Sequence, residues 1–405
     1  MLQVRDKRDC CGCEACRQVC PKQCITMAVD SEGFAYPKVD ATACIDCHLC
    51  EKVCPVINQD AERKPISVLA AKNCDAEVVR KSSSGGVFHA LATKVIEDGG
   101  VVFGARFVED WSVEHSWTDT IEGIAPFMGS KYLQSRIGDS FAKVKEFLKD
   151  GRKVMFTGTP CQISGLKKFL RKDYDNLLAV DVICHGVPSP MVWQNYLKET
   201  LRPARGGKVG RNTVDPPISQ KPTIVGISFR DKRISWPKFG LALHFAPNGS
   251  ERNSVWPLTG KEETEGLFQP HYGNDFMAAF LRDLILRPSC YACPAKAGKS
   301  GSDLTIGDYW GIEKVMPGFA DDKGVSVVVA NTEKGARMIE GIGLETMDSR
   351  YEDALAGNPS LVRSVGKPIN REYFWKQLRK RGLDEALERT FSTNILRRIE
   401  RKLMR

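Results

Sequence analysis

The sequence predicts an α/β body preceded by a small, cysteine-rich α+β domain. Ten of the 15 cysteines lie before residue 55, a polar linker follows, and apolar strand-like runs then alternate with helical patterns. We expect five regions along the chain, namely a cysteine-rich domain at 1–58, the linker at 59–66, two parts of the body at 67–145 and 146–350, and a basic helical tail at 351–405.

The composition is that of an ordinary soluble globular protein, with 42% hydrophobic and 27% charged residues in a length of 405. No apolar run reaches the roughly 18 residues that a membrane span needs, and no apolar stretch precedes the first cysteine as it would in a secretory signal. We therefore expect a cytoplasmic protein. Because thiols stay reduced in that compartment, so many cysteines indicate metal binding rather than disulfides. The net charge of +9 lies mostly in the tail.

The cysteine-rich domain contains one spacing twice, with two residues between each of the first three cysteines, three before the fourth, and a proline directly after it. Three closely spaced thiolates can bind three corners of one iron–sulfur cubane, and the proline turns the fourth toward the neighbouring cluster. Zinc also takes four thiolates, but its sites normally use two separated pairs. We therefore predict two [4Fe–4S] clusters, one on Cys10, Cys13, Cys16 and Cys54, the other on Cys44, Cys47, Cys50 and Cys20.

Two short strands are predicted between the two cysteine runs, at 25–29 and 34–39, joined by a tight turn. With this spacer the segment resembles a bacterial-type two-cluster ferredoxin domain. Cys11 and Cys24 do not fit the cluster spacing, and we interpret both, like Cys74, as small buried hydrophobic residues.

The body is predicted from the alternation of strand and helix patterns, which favours a largely internal sheet. Strands are expected at 68–71, 101–107, 154–156, 177–182 and 325–330. Helices are expected at 87–97, 141–148 and 162–170.

Three segments of the body place polar side chains next to glycine or proline. They are Ser83-Ser84-Gly85-Gly86 before a helix, Lys131-Tyr132 in a glycine- and serine-containing loop, and Thr157-Gly158-Thr159-Pro160 between a strand and a helix. Serine hydroxyls and glycine amides at a helix N-terminus can bind the phosphates of a dinucleotide, but the same serine-rich pattern also serves as a plain helix cap. The loop with Lys131 is equally compatible with a solvated surface.

Four further cysteines stand in turn-like settings of the body, at Cys161, Cys184, Cys290 and Cys293. Four is the number that a third cubane needs, and the last two repeat the two-residue spacing and the following proline of the N-terminal runs. On spacing alone, a third cluster, a zinc site and structural thiols all stay open.

Together these segments resemble the coenzyme F420 hydrogenase/dehydrogenase beta subunit family over 65–343. The matching stretches are SSGG at 83–86, KY at 131–132, TGTPCQ at 157–162, CHG at 184–186, CYAC at 290–293 and GDYWG at 307–311. The resemblance implies an α/β flavin-binding body of the beta-subunit type that holds FAD beside a [4Fe–4S] cluster. A two-cluster ferredoxin fused to this body is itself an arrangement of the family.

The resemblance also implies roles for individual residues. Ligands of the third [4Fe–4S] cluster would be Cys161, Cys184, Cys290 and Cys293. Contacts with FAD would be made by Ser83, Ser84, Gly85, Gly86, Lys131, Tyr132, Thr157, Gly158, Thr159 and Pro160. Asp308 and Tyr309 would lie near the isoalloxazine ring. His185 would hydrogen-bond the flavin or tune the cluster, unless it is a structural histidine.

These implications predict an FAD- and iron–sulfur-dependent oxidoreductase that passes electrons between a two-electron donor or acceptor, such as coenzyme F420, and one-electron carriers. The expected partners are that small molecule and a redox protein, either ferredoxin or a larger oxidoreductase complex, and a homo-oligomer is compatible with the sequence. We expect oxygen sensitivity and an anaerobic setting. The alternative is a non-enzymatic polyferredoxin-type subunit of a larger complex, which would hold clusters but no flavin.

Two basic segments complete the sequence. Residues 228–237 mix cations with aromatic residues and would form either a solvated hairpin rim or a mouth for an acidic cofactor. The tail has Ser392 or Thr393 as a candidate cap, followed by Ile395, Leu396, Ile399 and Leu403 at helical spacing. This favours a packed helix over a contact with anionic lipid or an acidic partner. Nucleic-acid binding is not expected, because basic and aromatic residues do not alternate there.

Overall fold

The computed structural model describes residues 2–201, 223–246 and 266–391. The strands are β1 (Ile25–Val29), β2 (Ala35–Val39), β3 (Ser67–Asn73), β4 (Val101–Phe107), β5 (Val113–Thr118), β6 (Val154–Gly158), β7 (Leu177–Val182), β8 (Ile224–Asp231), β9 (Gly240–Phe245), β10 (Gly266–Pro270), β11 (Leu304–Asp308), β12 (Ser326–Ala330) and β13 (Leu344–Ser349).

The helices are α1 (Ala15–Val19), α2 (Leu49–Lys52), α3 (Ala76–Lys81), α4 (Val87–Glu97), α5 (Ser140–Lys149), α6 (Pro160–Leu170), α7 (Pro190–Thr200), α8 (Asp275–Leu281), α9 (Ile312–Val315), α10 (Glu333–Arg337), α11 (Tyr351–Gly357), α12 (Arg371–Arg381) and α13 (Leu383–Phe391). Short 3-10 helices lie at Lys7–Asp9, Glu122–Phe127, Pro288–Ala292 and Pro359–Leu361. Within the described ranges, none of the helices has the length and apolar character needed to cross a membrane.

The cysteine-rich domain is built on an antiparallel hairpin of β1 and β2, which confirms the two predicted strands. Asp30 forms the turn by accepting hydrogen bonds from the amides of Glu32 (2.9 Å) and Phe34 (3.0 Å). The ring of Phe34 is completely buried and fixes the hairpin. Helix α1 lies in the first cysteine run and α2 in the second.

An eight-stranded mixed sheet forms the centre of the body, in the order β13-β3-β12-β11-β7-β6-β4-β5. The neighbours β11, β7, β6 and β4 are parallel, and the strands outside them pair antiparallel. All residues of β12 are buried, as expected for an interior strand that is apolar on both faces. The predicted strands and helices of the body are confirmed, with bounds that differ by at most two residues.

This sheet crosses the predicted boundary between 67–145 and 146–350. Strands β3, β4 and β5 come from the first of these parts, and β6, β7, β11, β12 and β13 come from the second. The two parts therefore share one sheet.

A second sheet of three antiparallel strands, in the order β10-β9-β8, was not indicated by the sequence pattern. It packs with α7, α8, α12 and α13 around one core, in which Trp193 and Trp375 are almost completely buried. The segment 228–237 begins in β8. Arg230 and Trp236 are buried there, at 6% and 3% exposure, whereas Arg233 and Ile234 are exposed, so only part of this segment forms the solvated hairpin rim.

Helices α11, α12 and α13 form the described part of the predicted tail. Phe374 and Leu387 bury α12 and α13 in the core of the second sheet. The remaining positions of the tail that were singled out from the sequence lie outside the described residues, namely Ser392, Thr393, Ile395, Leu396, Ile399 and Leu403.

The carboxyl ends of three parallel neighbours, β6, β7 and β11, meet at one edge of the large sheet. These strands end at Gly158, Val182 and Asp308. Open α/β sheets bind their ligands in the crevice outside such carboxyl ends. A ligand site is therefore expected at this edge of the large sheet.

Candidate functional site

A cavity of about 700 Å³ opens at this carboxyl edge. Its volume is in the range of small-molecule and cofactor sites. Residues from all three segments predicted to contact FAD line it, namely Ser83, Ser84, Gly86, Lys131, Tyr132, Thr157, Gly158 and Thr159. Gly85 and Pro160 belong to the same segments but are not among the lining residues.

The serine–glycine segment is clamped to the sheet just before α4 begins. Ser84 donates its hydroxyl hydrogen to the carbonyl oxygen of Val325 (2.8 Å), and the amide of Gly85 donates to Ser326 Oγ (2.9 Å). A Cβ atom at Gly85 would lie 2.3 Å from the carbonyl oxygen of Ala71, so a larger residue does not fit. These contacts fix the backbone at the start of α4.

The residue that caps α4 is Gly86, in the left-handed conformation with φ +84°, and no side chain caps the helix. The interpretation of the serines as a plain helix cap is therefore wrong. Ser83 instead accepts a hydrogen bond from the amide of Ser130 (2.7 Å), which joins this segment to the loop of Lys131. Gly86, Val87 and Phe88 line the cavity at the start of α4, and a helix leaves its first amides without partners in the helix.

The turn after β6 leads directly into α6. Thr159 caps this helix in a capping box with Gln162, whose Oε1 accepts the amide hydrogen of Thr159 at 2.9 Å. Pro160 occupies the first helical turn, where its missing amide hydrogen costs nothing. A second helix N-terminus, with its partial positive charge, thus lies at the cavity.

A buried histidine that sequence reasoning missed holds this turn in place. His115 lies on β5, with Nε2 2.9 Å from the carbonyl oxygen of Thr157 and Nδ1 3.0 Å from Ser135 Oγ. Since a carbonyl only accepts, Nε2 carries the hydrogen and Nδ1 accepts from the serine hydroxyl. Gln162 donates to the same hydroxyl (2.8 Å). Burial lowers the pKa of His115 to about 4, so the ring stays neutral at neutral pH.

Lys131 brings a cation into the cavity wall. Its ammonium donates to the carbonyl oxygens of Pro126 and Met128, both at 2.8 Å, and to that of Gly129 at 3.2 Å. No carboxylate among the described residues pairs with it. Burial of the ammonium lowers the pKa of Lys131 to about 7. An anion bound here would favour the charged form, so the site is suited to a phosphate group.

A second cationic group, Arg230, also lines the cavity and belongs to segment 228–237, for which a mouth for an acidic cofactor was one of the two interpretations. Its Nη2 donates to Asp308 Oδ1 at 3.0 Å, and Trp236 Nε1 donates to the same oxygen at 2.7 Å. The guanidinium stacks over the ring of Phe239, 3.9 Å from its centroid. Nε of Arg230 is buried and has no hydrogen-bond partner among the described residues. In the sequence, Arg230 is recognisable as a cation within the mostly apolar strand β8.

The three predicted catalytic residues separate in the structure. Asp308 and His185 line the cavity, and Nε2 of His185 lies 2.6 Å from Oδ1 of Asp283. Tyr309 does not reach the cavity, because it is completely buried in the core on the other face of the sheet, with its hydroxyl against Ser349. The structure thus unites His185 with Asp308 but not with Tyr309.

The four body cysteines come together beside this cavity, and Cys184 also lines it. Burial raises the pKa of Cys184 to about 12, and the nearby thiols of Cys161 and Cys293 add to this effect. Burial also raises the pKa of Cys290, next to Cys184 and Cys161. These thiols repel one another's ionised forms, and a cationic iron cluster would reverse that effect.

The mutual electrostatic effects of Cys161, Cys184, Cys290 and Cys293 show that these four thiols lie near one another. No group of three or more histidine, cysteine or acidic side chains in the described ranges is placed to hold a single metal ion. A zinc ion would draw its thiolates to about 2.3 Å, whereas each thiolate of a cubane binds its own iron. The donor set therefore fits the predicted cluster.

The N-terminal cysteines lie in two neighbouring groups. Cys20, Cys44, Cys47 and Cys50 line one small recess of about 20 Å³ together with Cys24, which is not a predicted ligand. In the other group, burial raises the pKa of Cys16, and the thiols of Cys10 and Cys54 are among the nearby groups that raise it further.

The three cysteines outside the spacing behave differently from one another. Cys11 and Cys24 are buried, as predicted, but Cys74 is exposed, so the prediction that it is buried is wrong. Cys24 Sγ lies 3.4 Å from Cys20 Sγ. The thiol of Cys11 interacts with that of Cys161, across the contact between the small domain and the body.

Residues 151–347 match the family model for the C terminus of the beta subunit of coenzyme F420 hydrogenase/dehydrogenase, and residues 9–58 match a 4Fe-4S dicluster domain. The chain thus combines one segment that matches a 4Fe-4S dicluster domain with another that matches the C terminus of this beta subunit. The resemblance inferred from the sequence is thereby confirmed. These two matches indicate an iron–sulfur protein of the oxidoreductase type.

No curated protein matches the chain. Among solved structures, the chain is similar to a subunit in the xenon-derivatised F420-reducing [NiFe] hydrogenase complex from Methanosarcina barkeri, with 15% identity and a TM-score of 0.44. The similarity covers 77% of this chain and 99% of that one.

Proposed function

We propose that the chain is an iron–sulfur flavoprotein oxidoreductase whose body binds FAD and a third [4Fe–4S] cluster. The observation that carries the proposal is the convergence of the serine–glycine segment, the Lys131 loop and the turn after β6 on one cavity that also includes Cys184. Because Cys184 belongs both to the cavity wall and to the four-cysteine set, the two sites adjoin. Adjacent flavin and cluster sites are what transfer between electron pairs and single electrons requires.

The chemistry of the cavity fits FAD. The amide-bearing N-termini of α4 and α6 and the ammonium of Lys131 provide the positive potential that a diphosphate needs. The rings of Tyr132, Phe239 and Trp310 provide apolar walls. FAD, when bound, would supply acceptance of a hydride and release of single electrons.

The chain's own residues would orient the cofactor and keep water out. Asp308 holds Arg230 in place at the cavity wall. Asp283 holds His185, which lines the cavity. His115 keeps the turn at Thr157 fixed without adding a charge.

The dicluster domain would carry electrons between the body and a partner redox protein, either ferredoxin or a larger oxidoreductase complex. Cys47 is exposed, so a cluster bound by Cys44, Cys47, Cys50 and Cys20 would lie near the outer surface. We propose coenzyme F420 as the two-electron donor or acceptor, on the basis of the family description.

The first test is anaerobic purification, followed by iron, sulfide and flavin quantification on one sample. About twelve iron atoms and one FAD per chain are expected for three cubanes and a flavin. About eight iron atoms without flavin would refute the flavoprotein and favour a non-enzymatic polyferredoxin-type subunit.

The second test addresses the substrate. The flavin-loaded chain is expected to transfer electrons from reduced coenzyme F420 to a one-electron acceptor, followed by the absorbance of the deazaflavin. If the chain contains FAD and clusters but does not react with coenzyme F420, the substrate proposal fails while the flavoprotein proposal stands.

A further inference from the structure

Arg287 is a completely buried cation between the dicluster domain and the body. Its Nε donates to the carbonyl oxygen of Cys10 (2.7 Å), and its Nη2 donates to the carbonyl oxygen of Ala35 (3.0 Å). Nη2 also lies 3.5 Å from Cys10 Sγ. The guanidinium stacks against the ring of Tyr36, 4.3 Å from its centroid. One side chain of the body thus contacts both the first cysteine run and the hairpin.

Gln134 extends this contact. Its Oε1 accepts from Arg287 Nη1 (2.8 Å), and its Nε2 donates to the carbonyl oxygen of Cys11 (3.2 Å). A Cβ atom at Gly12 would lie 2.3 Å from Gln134 Nε2 and 2.8 Å from Arg287 Nη1, at a residue with φ +72°. Glycine between the first cysteines therefore allows both side chains to approach.

The first cysteine run also fits into a notch on α6. A Cβ atom at Gly165 would lie 2.8 Å from Cys13 Cβ and 2.9 Å from Cys13 Sγ. The same helix carries Cys161, a predicted ligand of the third cluster, whose thiol interacts with that of Cys11. The predicted cluster of Cys10, Cys13, Cys16 and Cys54 therefore lies against the body, and we call it the proximal cluster. The other N-terminal cluster, with exposed Cys47, is the distal cluster.

The charge of Arg287 has no carboxylate to balance it among the described residues. The thiol of Cys10, a predicted ligand of the proximal cluster, lies 3.5 Å from Nη2 of this buried guanidinium. A buried cation stabilises a reduced cluster over the oxidised one, because reduction adds a negative charge.

We propose that Arg287 raises the reduction potential of the proximal cluster and thereby makes it the point at which electrons pass between the dicluster domain and the body. This inference rests on the proposed function, because it needs the clusters. Arg287 acts here as a positioning and tuning residue, since it contacts the ligand Cys10 and the proximal cluster's surroundings rather than a substrate.

The test is an anaerobic redox titration of the full, cluster-loaded chain, followed by electron paramagnetic resonance. Arg287→Gln removes the charge, and Arg287→Lys keeps it while losing the forked hydrogen bonds. Arg371→Gln is the matched control, because Arg371 is a buried guanidinium at the same interface that binds Glu32 (2.9 and 2.5 Å) and no cysteine. Cys47→Ser identifies the component of the titration that belongs to the distal cluster.

In Arg287→Gln we expect the equilibrium for reduction of the proximal cluster to fall at least tenfold, which equals about 59 mV for one electron. The distal component should stay unchanged. The proximal potential should stay close to that of the unchanged protein in Arg287→Lys and should not change in Arg371→Gln. Where Arg287→Gln does not retain iron, Arg287→Met, which also removes the charge but keeps an unbranched side chain, is titrated in its place with the same expected fall.

An unchanged proximal potential in Arg287→Gln would overturn the inference. The inference would also be overturned if the proximal potential fell as far in Arg287→Lys and Arg371→Gln as in Arg287→Gln. Such a result would show that loosened docking, rather than the charge, sets the potential. Iron missing from the unchanged protein would instead refute the proposed function itself, so the two failures are distinguishable.

Discussion

Replacement of Lys131 by methionine should stabilise the flavin-free protein and weaken its binding of FAD. Burial holds the pKa of Lys131 at about 7 instead of 10.5, a difference that corresponds to about 5 kcal/mol at about 1.4 kcal/mol per pKa unit. The substitution loses three hydrogen bonds to carbonyl oxygens, each worth about 1 kcal/mol. We therefore expect the free energy of unfolding to rise by about 2 kcal/mol at pH 7.

The sign of the pH dependence follows from the lowered pKa. The unfolded chain holds the proton up to its ordinary pKa, whereas the folded chain releases it at about 7. The cost of folding is thus fully present below pH 7 and disappears as the pH rises toward 10.5. The stability of the unchanged flavin-free protein should rise over this range, and that of Lys131→Met should lack this contribution.

Binding of FAD should show the opposite trend. Since a diphosphate binds the protonated lysine better, FAD affinity should fall by up to about tenfold per pH unit above pH 7 and level off below it. Fluorescence titration of the flavin-free protein with FAD, with denaturant unfolding in parallel, measures both effects. Lys143→Met, which removes an exposed lysine paired with Glu146, is the control.

Equal FAD affinity in Lys131→Met and the unchanged protein at pH 7 would refute the assignment of Lys131 to the phosphates. A flavin-free variant that is less stable than the unchanged protein would refute the desolvation argument instead.

Three further substitutions test other parts of the structure. Cys290→Ala should remove about four iron atoms and leave the dicluster domain loaded, and unchanged iron would contradict a third cluster. Gly165→Ala should push Cys13 out of its notch and lower the free energy of unfolding by about 1–3 kcal/mol, whereas Gly318→Ala, with open space around it, should have little effect on denaturant unfolding. Asp308→Asn should cost roughly 3–5 kcal/mol of stability by leaving its buried arginine partner unpaired, and a loss below about 1 kcal/mol would show that this pair does not stabilise the cavity.

Local pattern was enough to predict most elements of the large sheet. Strand β4, strand β7 and helix α4 have the predicted bounds, because apolar periodicity and neighbouring glycine residues determine such elements locally. The second sheet could not be predicted, because β8 and β9 pair with register shifts and their partners in the core come from distant helices. Pairing of that kind depends on tertiary packing that no single segment encodes.

The candidate site shows the same division. The serine–glycine segment and the cysteine motifs could be recognised because the residues that define each of them are close together in the sequence. His115 could not, since it is an isolated residue in a strand whose partner lies more than 40 residues away. Arg230 belongs to a segment that was considered as a mouth for an acidic cofactor, but its pairing with Asp308 could not be predicted from that segment. Tyr309 shows the converse, because adjacent residues on a strand point to opposite faces and only Asp308 reaches the cavity.

The docking of the dicluster domain on the body has a kinetic consequence. Arg287 and the notch at Gly165 hold the first cysteine run against the body, which carries Cys161. Electron exchange between clusters bound at these two sites would therefore be an intramolecular step, whose rate does not change on dilution. Encounter with a separate electron carrier remains second order. Across a dilution series, turnover should fall only when that encounter is slower than the internal step.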